Sequence, residues 1–167
     1  MASRHNNIIL IGMPGCGKST VGVLLAKRLG WGFIDTDLLI QQANQQTLQA
    51  IVEQQGFHAL RQLEEKILLG LSPIKTVIAT GGSAVYSEPG IAQLKTLGQV
   101  IYLQLPLPTL IERVGDFSQR GIASDQKASF EQIFTERCPL YEKSANLQID
   151  CAGLNTEQVV SKIITLL

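Results

Sequence analysis

Apolar and polar positions along this chain follow two different rhythms. Short apolar runs without a period, "NIILIG" at 7–12, "KTVIATGG" at 75–82 and "QVIYLQLP" at 99–106, read as strands buried on both faces. "KSTVGVLLAKRLG" at 18–30 instead spaces Val21, Leu24, Leu25, Arg28 and Leu29 as one helical face, and Gly30 supplies the stop. "GFIDTD" at 32–37 reads as a short strand ending in carboxylates, and residues 38–71 are helical in pattern with breaks near Asn44 and Gly56. "LQID" at 147–150 is the weakest strand signal, and "NTEQVVSKIITLL" closes the chain as a helix capped by Asn155 or Thr156. Strands alternating with helices predict an α/β fold with a parallel sheet covered on both faces. The stretch "GDFSQRGIASDQKAS" at 115–129 has neither rhythm and reads as a mobile lid, at about 115–128.

Composition narrows the classes without choosing one. A length of 167 residues suits one domain with one core, 1–167. Lys plus Arg and Asp plus Glu both number 14, so the chain lacks the basic excess of a nucleic-acid binder. The three cysteines are odd in number and widely spaced, and the two histidines, His5 and His58, complete no metal pattern. These features suggest a reducing compartment, the cytoplasm. The polar start "MASRHNN" does not read as a secretory signal, and no apolar stretch approaches the ~18 residues of a membrane helix.

The strongest chemical signal lies between the first strand and the first helix. Gly12-Met13-Pro14-Gly15-Cys16-Gly17-Lys18-Ser19, followed by Thr20, fits G-x4-G-K-[ST]. The glycines let backbone N–H groups converge on phosphate oxygens, and the helix beginning near Lys18 adds the positive end of its dipole. Lys18 supplies a cation for the β and γ phosphates, and Ser19 a hydroxyl for Mg²⁺. Gly12, Gly15, Cys16, Gly17, Lys18, Ser19 and Thr20 are therefore the candidate nucleotide site. Cys16 occupies a variable position of the loop.

A phosphate grip serves transfer, hydrolysis or switching equally well. No Asn-Lys-x-Asp that would read guanine is present, and the strand at 76–80 runs into Thr80-Gly81-Gly82 rather than ending in an aspartate. A small-molecule kinase is the leading class. Asp35 and Asp37, two residues apart at a strand exit, share a face if that segment stays extended. One carboxylate could hold Mg²⁺ through water and the other could orient or deprotonate an acceptor hydroxyl. The plainer alternative is that Thr36 or Asp37 caps the next helix. Arg61 has Glu64 and Glu65 at helical spacing, and Arg137 lies near Glu136 and Glu142, so either arginine could form only a surface pair.

The order of these motifs resembles the shikimate kinase family, within the nucleoside monophosphate kinase group of P-loop folds. The likeness runs from about residue 7 to 151, through "DTD", "ALRQLEE", "ATGGSAV", Arg113 to Arg120 and "ERCPLYEKSA". It implies a three-layer α/β/α kinase fold with a five-stranded parallel sheet in the order 2-3-1-4-5, a lid, and an acceptor-binding helical segment at about 36–71. It implies a monomer that phosphorylates a hydroxyl of the acidic substrate shikimate with MgATP, and no nucleic-acid or membrane partner. By resemblance Asp37 approaches the acceptor hydroxyl, Asp35 and Ser19 lie near the metal, and Arg61, Arg137, Gly81 and Gly82 hold the acid. Arg120 reaches the phosphates from the lid, and Arg113 lies on the nucleotide side. The segment from Asn146 to Asn155 is expected beside the adenine. The sequence departs from the family at Phe57, Leu60 and Ser83, where glutamate, phenylalanine and a third glycine are usual, and at Arg120-Gly121-Ile122-Ala123, which lacks the lid's proline. Three of these four departures fall near the acceptor. A related kinase with another small acid or a nucleotide as acceptor, or a nucleotide-binding protein without transfer, are the rival readings.

Overall fold

The computed structural model describes residues 7–115 and 128–167. Five strands, β1 Asn7–Ile11, β2 Gly32–Asp35, β3 Thr76–Ala79, β4 Gln99–Gln104 and β5 Leu147–Asp150, form one sheet in the order β2-β3-β1-β4-β5. Every neighbouring pair is parallel. The inner strands owe their unbroken apolar character to helices on both faces: all of Asn7–Ile11 and Thr76–Ala79 are buried. The edge strands β2 and β5 are only partly covered, which is why "LQID" gives so faint a signal. No helix among the described residues is long and apolar enough to cross a membrane.

Helices α1 (Lys18–Leu29) and α8 (Thr156–Leu166) pack together on one layer, tied at the surface by an Arg28–Glu157 ion pair of 2.7 Å. Helices α4 (Phe57–Leu69), α5 (Glu88–Leu97), α6 (Leu107–Val114) and α7 (Phe130–Ser144) complete the scaffold, with α5 and α7 against β4. Turn chemistry sets the ends. Gly30 stops α1 in the left-handed region, at φ 66°, and Asn155, not Thr156, caps α8 through a reciprocal bond with Gln158. Buried Asn7 opens β1 by accepting from Thr76 N and donating to the Pro73 and Leu97 carbonyls, so three segments meet on one side chain.

The helical pattern over 38–71 resolves into three pieces: α2 (Thr36–Asn44), α3 (Leu48–Gln55) and α4. They enclose a small apolar cluster of their own, Ile40, Ile51, Val52 and Leu60, separate from the core around the sheet. This cluster holds α2 and α4 beside the C-terminal ends of β2 and β3. The lid expected at about 115–128, with Arg120, lies almost entirely outside the described residues.

Candidate active site

The phosphate-binding turn follows β1 directly. Gly15 and Gly17 adopt positive φ, 83° and 98°, and Gly17 forms the left-handed start of α1. Lys18 is buried and folds back across the turn, its Nζ donating to the carbonyls of Gly12 at 2.8 Å and Met13 at 3.0 Å. The ammonium is thus held at the mouth of the loop. Cys16 is turned into the core beneath Gly12, where its sulfur lies 3.7 Å from Lys18 Nζ. It can offer a ligand its backbone only.

Ser19 and Thr20 are exposed on the first turn of α1. Ser19 Oγ donates to Asp35 Oδ2 at 2.6 Å. The other carboxylate oxygen of Asp35 accepts from the backbone N–H groups of Asp37 at 3.0 Å and Leu38 at 3.4 Å. Asp35 therefore caps α2, where the sequence pointed to Thr36 or Asp37 for that role. It also ends the strand, so Asp35 and Asp37 do not share an extended face as the spacing suggested. Asp37 sits in the first turn of a helix instead, aimed across at the end of β3. Burial, reinforced by the charge of Asp35 and opposed by Lys18, raises its carboxyl to about 6.

The segment after β3 runs through a narrow gap. A Cβ on residue 81 would fall 2.7 Å from Asp37 Oδ1 and closer still to Glu64 Oε1; one on residue 82 would fall 2.9 Å from both an Arg137 nitrogen and Pro14 Cδ. Only glycines let this backbone pass between the carboxylates and the arginine. Its path is pinned by Gly81 N donating to Thr36 Oγ1 at 3.2 Å and by Tyr141 Oη donating to Gly82 O at 2.6 Å.

Arg137 is 1% exposed, and its Nε donates to Tyr86 Oη at 3.3 Å. Arg61 lies with its guanidinium 3.7 Å from the centre of the same tyrosine ring. Arg137 is thus drawn into the interior, and Arg61 lies half-buried against the ring. Glu64 instead turns inward, 2% exposed, where the Ser83 hydroxyl donates to its Oε2, and Glu65 accepts from Ser87 Oγ at 2.5 Å. Burial and the nearby Asp37 raise Glu64 to about 7, against the pull of Ser83, Arg137 and Lys18.

These parts enclose a cavity of about 400 Å³. Gly15, Gly17, Lys18, Ser19, Thr20 and Arg113 border it, as do Asp37, Gly81, Gly82 and Arg137. Gly12 and Cys16 lie behind the loop, and Asp35 joins through Ser19. Arg61 borders a second cavity of about 290 Å³, and Glu64 and Ser83 belong to the walls of both. The family departures divide accordingly. Leu60 borders the main cavity, Ser83 borders it with its hydroxyl turned to Glu64, and Phe57 lies tilted against His58, 4.1 Å between ring centres, outside it. Sequence reasoning missed Glu64 and Tyr86. The glutamate had a signal, its place in "ALRQLEE", but its spacing from Arg61 fitted a surface pair equally well. The tyrosine had none.

A family model described as Shikimate kinase matches residues 14–167. This chain belongs to the shikimate kinase family. It is a phosphotransferase acting on a hydroxyl group, and its kinase family uses ATP. Shikimate kinase 2 of Enterobacter sp. (strain 638) is 39% identical over 165 residues, covering 96% of this chain and 94% of that one. The structure of shikimate kinase from Acinetobacter baumannii in complex with shikimate superposes with a TM-score of 0.90 at 31% identity, covering 98% and 93% of the two chains. Shikimate kinase from Aquifex aeolicus vf5 gives 0.81 at 31% identity, covering 95% and 94%.

Proposed function

We propose that this shikimate kinase-family protein transfers the γ-phosphoryl group of ATP to a hydroxyl of shikimate. The observation that carries the proposal is the single cavity that joins the Lys18 turn to Asp37 and Arg137. The Lys18 cation, the Asp37 carboxylate and the buried Arg137 guanidinium, all bordering it, match a nucleotide phosphate, a hydroxyl and a carboxylate. The relative solved with shikimate bound supports the choice of acid.

In this reading the turn's backbone N–H groups and Lys18 hold the β and γ phosphates, with Arg113 on the nucleotide side. The hydroxyl of Ser19 and the carboxylate of Asp35, already paired, are hard oxygen donors fitted to Mg²⁺, which usually takes one or two protein ligands and keeps phosphates and water for the rest. Bound there, the ion would neutralise charge on the transferring group. Asp37 aligns the acceptor hydroxyl and accepts its proton. Arg137 and Arg61 grip the carboxylate, and the Gly81–Gly82 backbone lies against the ring. Arg120, outside the described residues, completes the phosphate contacts from the lid at 115–128. Catalysis comes mainly from alignment and charge stabilisation.

The α2–α4 segment, 36–71, serves as the acceptor-binding part of a single domain. The exposed large apolar side chains are spread over α1, α2, α4, α6, α8 and the loop before β3, which supports a monomer. The cysteines among the described residues are free thiols, which supports a reducing, cytoplasmic setting. The test is ADP release with MgATP and a panel of acceptors: shikimate, other hydroxylated ring acids and nucleoside monophosphates. Turnover with shikimate far above the rest is expected. Turnover with another acid and none with shikimate would overturn the acceptor assignment.

A further inference from the structure

Tyr86 stands where the two arginines assigned to the acid meet, and the transfer scheme gives it no part. It is half-buried at the end of a one-turn 3-10 helix, Ala84–Tyr86, that follows the glycine pair and Ser83. This short helix packs against both α4, which carries Arg61, and α7, which carries Arg137. The Arg61 guanidinium carbon lies 3.7 Å from the centre of the tyrosine ring, and that of Arg137 lies 5.2 Å from it. The phenol oxygen accepts from Arg137 Nε at 3.3 Å, and its own proton goes to Glu136, the neighbour of Arg137 on α7. Two cations brought together repel, and each long side chain loses rotamer freedom when it is fixed. An aromatic face offsets the repulsion, and a hydrogen bond at Nε sets the angle of the planar fork.

We propose that Tyr86 is a positioning residue for the acceptor's carboxylate: its ring and its oxygen hold the Arg61 and Arg137 guanidiniums as a pair before the acid arrives. The placement of the contacts supports this. Tyr86 borders the smaller cavity, together with Arg61, while Arg137 borders the larger. Tyr86 holds Arg137 at Nε, whereas the Nη1 end lies against Gly82 in the wall of the larger cavity. One ring thus sets the spacing between cations that come from two different helices. A clamp already assembled spares the acid the cost of ordering it, so the gain appears as acceptor affinity. This inference rests on the reading of Arg61 and Arg137 as the residues that grip the acid.

Two measurements on the full chain test it. In the protein without nucleotide or acceptor, NMR should show the Arg61 side-chain protons shifted upfield by the ring current of Tyr86. Y86F keeps the ring face and should keep that shift, Y86L should abolish it, and the Arg137 Nε–H signal should move in both. In steady-state kinetics with MgATP and shikimate, Y86L should raise the KM for shikimate about 10-fold, with kcat and the KM for ATP within about twofold of wild type. Y86F loses only the oxygen and should raise it about 2- to 3-fold. In an R61A background the ring has lost one of its two cations, so Y86L should raise the KM for shikimate only about 2- to 3-fold further. Should Y86L not fold, Y86F and the NMR shifts of wild type carry the test. Arg61 protons without an upfield shift, a Y86L that loses stability but keeps its KM for shikimate, equal rises in KM for both substrates, or a full Y86L effect on top of R61A overturns the proposal. The expected NMR shifts together with no transfer to shikimate overturn the acceptor assignment and leave the held arginine pair standing.

Discussion

Arg61 and Arg137 reach one phenol from two different helices, and that contact changes what each substitution should do. Tyr86 offers its ring face to Arg61 and its oxygen to Arg137. Arg61→Ala removes a half-buried cation and should raise the KM for shikimate about 10- to 100-fold while the KM for ATP stays put, as steady-state kinetics would show. Equal effects on both substrates would contradict its role at the acceptor. Lys18→Ala removes the cation that spans the phosphate turn, and transfer should fall below detection in a coupled ADP assay. Glu64 gives a stability prediction of definite sign. Its folded-state value, about 7, lies above the ordinary 4.5, so the folded protein binds this proton more tightly than the unfolded chain. The associated stability is complete below pH ~4.5 and is lost as pH climbs through about 7. Glu64→Gln should therefore gain on wild type across that window, by up to about 3 kcal/mol, and hold the gain above it. Urea unfolding at pH ~5 and ~8 checks the difference.

At the scale of elements, the helix termini do more than stop helices. Asp35 ends β2, caps α2 and accepts from Ser19, so one side chain fixes the angle at which α2 presents Asp37. This is also where the sequence misled. Two carboxylates at i and i+2 share a face only while the strand continues, and here the first of them terminated it. The strands themselves, the breaks near Asn44 and Gly56 and the stop at Gly30 were legible because apolar period and turn residues agreed. The inward turn of Glu64 was not, because helical spacing from Arg61 is satisfied by a surface pair and by a buried acid alike. Ser87 caps α5 through Gly90 N and donates to Glu65 on α4. Ser87→Ala should cost about 1 kcal/mol of unfolding free energy. Chemical denaturation would measure it, with kcat unchanged because neither partner borders the main cavity.

For the molecule as a whole, the parallel sheet gathers the phosphate turn, Asp37 and the glycine pair at the C-terminal ends of its strands because every strand points the same way. Binding should therefore be felt globally. ATP with Mg²⁺ at about 100 times its Kd should stabilise the folded chain by about 2.7 kcal/mol, a rise of roughly 5–10 °C in Tm for this size. Differential scanning fluorimetry would show it, and Lys18→Ala should remove most of the shift. The shared wall of Glu64 and Ser83 has a consequence for inhibitor chemistry. A compound that fills only the larger chamber leaves that hydrogen bond intact, whereas one that extends through this wall toward His58 and Gln62 must first unlatch the serine. Selectivity among elongated inhibitors would then depend on whether they bring a hydroxyl or amide of their own to take the serine's place on the glutamate.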